Sequence, residues 1–324
     1  MKNRIAIIVT WFGKLPPYFD AWLKSAEKNK EIDFYCFFDQ SFITKSKNIH
    51  LIKTTMQDEI NRISKAINEK IVINNSYKFC DLRPSFGLGY AEYLKDYEFW
   101  GYCDIDLVFG HISNFLTDEV LDEYDRFYEY GHLSIFRNND EMNDLYKYPG
   151  CIYSKNEIFR KSVKCTPEEH WGINRIMENN SFKWYRKNDF ADFYLPYQTL
   201  LINNGTNYDK QIFYWENGKA YMAYELNGKM NKRELVYIHW QKRKPVMNFV
   251  AQKTNYFYIT SNELIKKKQG TPSLDDINKY NPTLTSEKKE EMVNILLEAA
   301  ESLQTLDECE IYLVNIADSE PNSV

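Results

Sequence analysis

The sequence predicts an α/β protein with a mostly parallel central sheet, flanking helices and a helical appendage at its carboxyl end. Three observations carry that expectation. The chain opens on an apolar run, RIAIIVTWFG, and continues by alternating strand-like and helix-like stretches. Turn signals break the pattern further along, at YKYPG and at Glu216-Asn217-Gly218. Beyond about Gly270 the character changes, first to a polar, turn-rich stretch and then to a helical pattern. A hydrophobic content of 44% over 324 residues is ample for a real core.

The elements follow in order. RIAIIVTWFG has the continuous apolar character of a strand buried on both faces, and PPYFDAWLKSAEKN reads as a helix opened by its prolines. IDFYCFFD is a second strand ending at Asp39, NIHLIKTT a third, and MQDEINRISKAIN a second helix. Such an order places ligands at the carboxyl ends of the strands, where Asp39 and the Thr10-Trp11-Phe12 loop fall. NSYKFCDLRPSFG leads to a helix from Gly89 to Lys95, and FWGYCDIDLVFG reads as one short strand entering a loop. GHLSIFRN is another strand, YKYPG a break and CIYSKNEIFRKSVK a helix-like return, followed by a mixed, aromatic-rich stretch from Glu168 to Tyr197.

Two β-type runs come next. KQIFYWENGKAYMAYE turns at Glu216-Asn217-Gly218, and ELVYIHWQKRKP follows it. TPSLDDINKYNPTLTSEKK is polar and turn-rich. After it, Met292, Leu296, Ala299, Leu303 and Leu306 recur at alternating four- and three-residue steps, the spacing of a helix packed on the main domain or of a homodimer seam. The expected division is therefore a main domain over residues 1–250 and a helical extension over 251–324.

Charge and composition narrow the function. A net charge of -5 argues against a general nucleic-acid binder, which would carry a basic excess. Met1-Lys2-Asn3-Arg4 runs straight into IAIIVTWFG without the pattern of a cleaved signal, and no run approaches the roughly 20 apolar residues that span a bilayer. A cytoplasmic protein is expected. Lys266, Lys267 and Lys268 suit either a peripheral contact with the inner membrane's anionic headgroups or a solvated turn. The six cysteines are scattered, without a CxxC pair, as reduced thiols are. Aromatic residues make up 16% of the chain, 25 of them tyrosines, and such faces suit stacking on sugar rings.

Three short segments carry chemistry. Asp104 and Asp106 stand in the middle of the strand-like FWGYCDIDLVFG, where two like charges in an apolar setting cost several kcal/mol unless something neutralises them. A divalent cation is one answer. On an extended chain, period-two alternation puts both carboxylates on one side, and hard oxygen donors suit Mg2+ or Mn2+. In VYIHWQKRKP, His239 precedes Lys242, Arg243 and Lys244, a grouping that suits a metal and a diphosphate, against a core histidine beside a solvated turn. In KFCDLRPSFG, Asp81 and Arg83 lie two apart, suited to sugar hydroxyls or to an ordinary ion pair at a helix start.

Taken in order, the amino-terminal strand, the D-L-R element, the aromatic strand with D-x-D and the late histidine with basic neighbours resemble the GT-A glycosyltransferases. The likeness is nearest to bacterial capsule and lipopolysaccharide enzymes that share W-G-Y-C-D-x-D and H-W/F-Q-K-R, and it covers roughly residues 1 to 250. The resemblance implies a GT-A-like, Rossmann-like sheet. It implies that Asp104 and Asp106 bind Mn2+ or Mg2+ with His239 as the late third ligand, and that Asp104 also lies near the donor ribose. Thr10, Trp11, Phe12 and Asp39 would border the nucleoside, Asp81 and Arg83 would touch the donor sugar, and Lys242 and Arg243 would hold the diphosphate. Pro84 directly after Arg83, and the lack of an H-x-x-G-x-x-K-P-W run, depart from the better-known retaining families and leave the role of Lys242 open.

The implied activity moves a hexose from a nucleotide sugar, by default a UDP-hexose, to a glycan or lipid-linked saccharide. Catalysis then rests on stabilising charge on the leaving phosphate, with Asp106 at the metal. Inversion needs a carboxylate base, for which Glu168, Glu169, Asp189 and Asp192 are the candidates; retention needs none, and the late histidine favours it. A catalytically idle glycan- or nucleotide-binding module is one competing class. A metal-dependent nucleotidyl- or phosphotransferase is another, against which stands the lack of a G-x-x-x-x-G-K-[ST] loop.

Overall fold

A computed structural model describes residues 3–193, 200–241 and 243–281. The chain forms two compact units, each assembled from separate segments. The first comprises Met1–Leu15, Ala26–Ile105 and Ser113–Lys187. Among the described residues it carries a seven-stranded sheet in the order Ile49–Lys53, Ile32–Phe38, Ile5–Trp11, Phe99–Cys103, Leu133–Arg137, Arg126–Tyr130, Trp184–Tyr185.

The first four strands run parallel. Leu133–Arg137 then pairs antiparallel with Phe99–Cys103, and Arg126–Tyr130 pairs antiparallel with Leu133–Arg137. Ile5, Ala6, Ile7, Ile8 and Val9 are all buried, as expected of a strand covered on both faces. The helix Met56–Ile67 opens on Thr55, whose side chain accepts from the Asp58 amide, and closes on Asn68 in the left-handed region at φ 53°. Its Ile60, Ile63 and Ile67 form one apolar stripe, which packs in a core with Ile8, Phe37, Phe86, Tyr90, Trp100 and Phe136. Gly101 is required by close approach, since a Cβ there would lie 2.5 Å from the Ser134 carbonyl oxygen on the next strand.

FWGYCDIDLVFG is not one strand. The ladder ends at Cys103, paired with Leu133, the chain bends through Ile105 and Asp106, and Leu107–Phe109 joins a separate three-stranded sheet. Period-two alternation therefore does not relate Asp104 to Asp106. A strand buried on both faces has no room for two carboxylates, so the chain leaves the sheet where they begin. The strand Arg126–Tyr130 and the helix Asp118–Glu123 were not legible, and the helix expected from Gly89 to Lys95 is two short ones, Phe86–Gly89 and Ala91–Leu94.

The second unit comprises Pro16–Ser25, Asp106–Ile112 and Asn188–Val324. Among its described residues is a six-stranded sheet in the order Lys229–Leu235, Lys219–Leu226, Gln211–Glu216, Tyr256–Ile259, Glu263–Lys266, Val246–Met247. The expected hairpin is present. Glu216 pairs with Lys219 across Asn217 and Gly218, at φ 51° and 93°, the two positive values that a tight two-residue turn demands. ELVYIHW, read as one run, is divided between Lys229–Leu235 and Tyr237–His239, which lie in different sheets.

The boundary expected at residue 250 falls inside the six-stranded sheet, because Phe213 to Glu216 pair with Tyr256 to Ile259. Ser273 and Asp276 form a capping box on the helix Leu274–Tyr280, within the stretch expected to be turns. The helix expected around Met292 to Leu306 lies outside the described residues. Lys267 is buried, its amine donating to the carbonyls of Lys268 and Gly270 at 2.7 and 2.6 Å. No helix among the described residues is long and apolar enough to cross a membrane.

Candidate active site

In the first unit the chemistry gathers at Asp104, just past the end of strand Phe99–Cys103. Its amide donates to the His132 carbonyl at 3.1 Å, continuing the ladder by one bond. Arg83 projects from the 3-10 helix Lys78–Ser85 and is buried. Its Nη2 donates to Asp104 Oδ1, its Nη1 donates to the Gly131 carbonyl at 2.9 Å, and its guanidinium carbon lies 5.3 Å from the centre of the Tyr102 ring. Burial opposes the guanidinium charge most strongly, but Asp104, Cys80 and Glu168 together outweigh it and hold the group well above its ordinary pKa. The Gly131 amide donates to Glu169 Oε1 at 2.7 Å, so Glu169 is tied to the loop that Arg83 also grips. Beside it, Glu168 is 1% exposed and burial pushes its pKa up to about 7, against the pull of Lys164 at 3.8 Å.

Asp81 does not face outward. It is buried, accepting from Lys78 Nζ at 2.6 Å, from the Cys165 amide at 2.8 Å and from the Thr166 amide at 3.2 Å. Lys78, fully buried, also donates to the Glu157 and Val163 carbonyls. The Asp81 carboxylate thus holds a buried cation and two loop amides, which leaves the expected contact with a donor sugar without support. Thr10 and Trp11 end the central parallel strand beside Phe37 and Phe38, and Phe12 packs edge-on against Phe79 at 5.0 Å. Both Asp39 oxygens accept from the Gly13 amide, at 3.0 and 2.9 Å, which ties the two strand ends into one loop platform.

In the second unit His239 ends strand Tyr237–His239, opposite Leu107 on one side and Asp192 on the other. Its Nδ1 lies 2.7 Å from Asp192 Oδ1 and its Nε2 lies 3.3 Å from Asp106 Oδ1. Burial opposes the imidazolium, but Asp106 and then Asp192 raise its pKa well above the ordinary value. Asp192 is itself fixed: Asn203 Nδ2 donates to its Oδ2 at 2.7 Å, and its amide donates to Asn204 Oδ1 at 3.0 Å. The Trp240 amide donates to the Asp106 carbonyl at 3.2 Å.

Arg243 lies over the Phe193 ring at 5.3 Å, and burial lowers its pKa to about 10 against the pull of Asp192. Asp189 is half-buried, and its carbonyl accepts from the Val236 amide. Lys242 lies outside the described residues.

These pairings correct one argument from sequence. The two aspartates do not need an added cation to be tolerated, because Asp104 has Arg83 and Asp106 has His239. The case for a metal rests instead on the donor set. Neighbouring ligands around an octahedral cation with bonds of about 2.1 Å lie about 3 Å apart, close to the separation of His239 Nε2 from Asp106 Oδ1, and a carboxylate behind Nδ1 is the usual support of a ligating histidine. The residues of the second unit fit such an ion. Asp192 in this supporting place was not legible, since 47 residues separate it from His239 and nothing local marks the pairing.

Fold and site together define an α/β protein with a mostly parallel sheet and charged side chains at the carboxyl ends of its strands. The chain belongs to DUF6625, a family of unknown function, which it matches over residues 7–268. No curated protein matches the sequence. Among solved structures the chain is similar to the galactosyltransferase LgtC in complex with donor and acceptor sugar analogues, at 13% identity over 58% of this chain and 75% of that one, with a TM-score of 0.35. It is similar to the glycosyltransferase GlyE of Streptococcus pneumoniae TIGR4, at 13% identity over 58% of this chain and 46% of that one, with a TM-score of 0.32. It is also similar to apo mouse xyloside xylosyltransferase 1, at 8% identity over 60% of this chain and 88% of that one, with a TM-score of 0.34.

Proposed function

We propose that this protein is a GT-A-like, metal-dependent glycosyltransferase that moves a hexose from a nucleotide sugar, UDP-linked, to a glycan or lipid-linked acceptor in the synthesis of bacterial surface polysaccharide. The observation that carries the reading is His239, held by Asp192 at Nδ1 and facing Asp106 with Nε2, together with Asp104 two residues along the chain from Asp106. Asp104, Asp106 and His239 would hold Mn2+ or Mg2+, which, when bound, supplies positive charge to the departing diphosphate. Arg83 orients Asp104 and sets a fixed cation beside it. Thr10, Trp11, Phe12 and Asp39 would border the nucleoside, and Arg243 and Lys242 would add cationic charge toward the phosphates.

Retention is the preferred stereochemistry. Glu169 is held by the Gly131 amide, which suits a loop anchor better than a mobile base, and Asp189 stands as the base if the enzyme inverts. Thermal melting with Mn2+ and UDP tests the binding half of the proposal. The wild type should melt higher with both present than with either alone, and Asp106→Asn should gain far less. A wild type whose melting ignores the pair overturns the reading.

A further inference from the structure

We infer that Asp192 is a positioning residue, whose work is to fix the His239 ring so that Nε2, and not Nδ1, is presented on the side of Asp106. The inference rests on the metal reading for its purpose, but its geometry stands by itself. Strand Ala191–Asp192 runs parallel to Tyr237–His239 and puts Asp192 directly beside His239 in register. The backbone on the Asp192 side is pinned: its amide donates to Asn204 Oδ1 and its carbonyl accepts from the Asn203 amide at 2.8 Å. The carboxylate is pinned as well, one oxygen accepting from His239 Nδ1 at 2.7 Å and the other from Asn203 Nδ2 at 2.7 Å.

This division of the two oxygens has a chemical consequence. A carboxylate is an acceptor at both oxygens, so it can receive Nδ1–H and the Asn203 amide at once. The ring is then oriented by a bond that requires a proton on Nδ1, and Nε2, on the side of Asp106, is the nitrogen that would serve a cation. A neutral amide at position 192 has one accepting oxygen and one donating nitrogen. With Asn203 oriented as it is, an oxygen facing His239 makes the nitrogen meet the Asn203 donor; if the new amide is flipped, a donor faces Nδ1. Both oxygens are engaged in holding other side chains, so the same residue is poorly placed as the catalytic base that its position among the acidic candidates first suggests.

The test compares the full-length wild type with Asp192→Asn, Asn203→Asp and the Asp192→Asn/Asn203→Asp double variant. Two readouts are taken: Mn2+ affinity by titration, with and without UDP, and the nuclear magnetic resonance signal of the His239 Nδ1–H proton in metal-free protein. Asp192→Asn should weaken Mn2+ binding about 10- to 100-fold and lose or shift the Nδ1–H signal. In the double variant the new amide at position 192 can give its nitrogen to the carboxylate introduced at position 203 and its oxygen to His239, and most of both readouts should recover. Simple damage to the fold would not be repaired by a second substitution that moves the charge.

An Asp192→Asn protein that binds Mn2+ within twofold of the wild type and keeps the Nδ1–H signal overturns the inference. So does a double variant no better than the single one. A wild type that binds no Mn2+ but shows an Nδ1–H signal dependent on Asp192 upholds the positioning and overturns the metal reading instead.

Discussion

Arg83 and Asp104 form a partly buried ion pair in which the arginine also grips the Gly131 carbonyl with its second nitrogen, at 2.9 Å. One planar fork thus fixes a strand end and the loop beside it. Arg83→Met would leave Asp104 without its cation and should lower stability by about 3 kcal/mol in urea unfolding. Arg83→Lys keeps the charge and loses the fork, at a smaller cost of about 1 kcal/mol. Equal stability of Arg83→Lys and wild type would show that the second bond contributes nothing.

Glu168 makes stability depend on pH. Burial raises its pKa in the folded chain from an ordinary 4.5 to about 7, so between those values the folded state holds a proton that the unfolded state has released. Stability therefore falls as pH rises through that window, by on the order of 2 kcal/mol. Glu168→Gln cannot titrate there. Denaturation of both proteins at pH 5 and pH 8 should show wild type losing that amount relative to the variant, and parallel curves would contradict the assignment.

Asp81 is expected to matter for folding. Asp81→Asn removes the counter-charge of the fully buried Lys78 and should cost about 3 kcal/mol, read from the unfolding midpoint. An unchanged midpoint with weakened donor binding would return Asp81 to the sugar site that the sequence suggested.

Gly101→Ala tests the packing of the central strand against its neighbour. The added Cβ would lie 2.5 Å from the Ser134 carbonyl oxygen and 2.9 Å from Ile135 Cγ1, so the strands must separate. A loss of about 2 kcal/mol is expected from calorimetry. A melting temperature equal to the wild type would show that the ladder yields freely.

Much of the first unit was legible, because its strands are uniformly apolar and its helix Met56–Ile67 carries both a cap and a stripe. The hairpin at Asn217-Gly218 was legible for a local reason too, since few residues accept two positive φ values in succession. What stayed hidden depends on partners far along the chain. Nothing near Asp104 announces Arg83 as its counter-ion, and nothing near His239 announces Asp192. The segment Phe99–Gly110 misled because propensity continues across the aspartates while the backbone does not. Asp81 and Arg83, two apart and alike in sequence prospects, part company in the fold: one holds a buried lysine and the other holds Asp104.

Release of nucleoside diphosphate from a panel of nucleotide sugars, followed by chromatography with Mn2+ or with EDTA, tests glycosyl transfer most directly. The account predicts slow hydrolysis of one donor by the wild type in Mn2+, none in EDTA, and none by Asp106→Asn in either. A panel left intact by the wild type in Mn2+, or hydrolysis by Asp106→Asn at the wild-type rate, would contradict it.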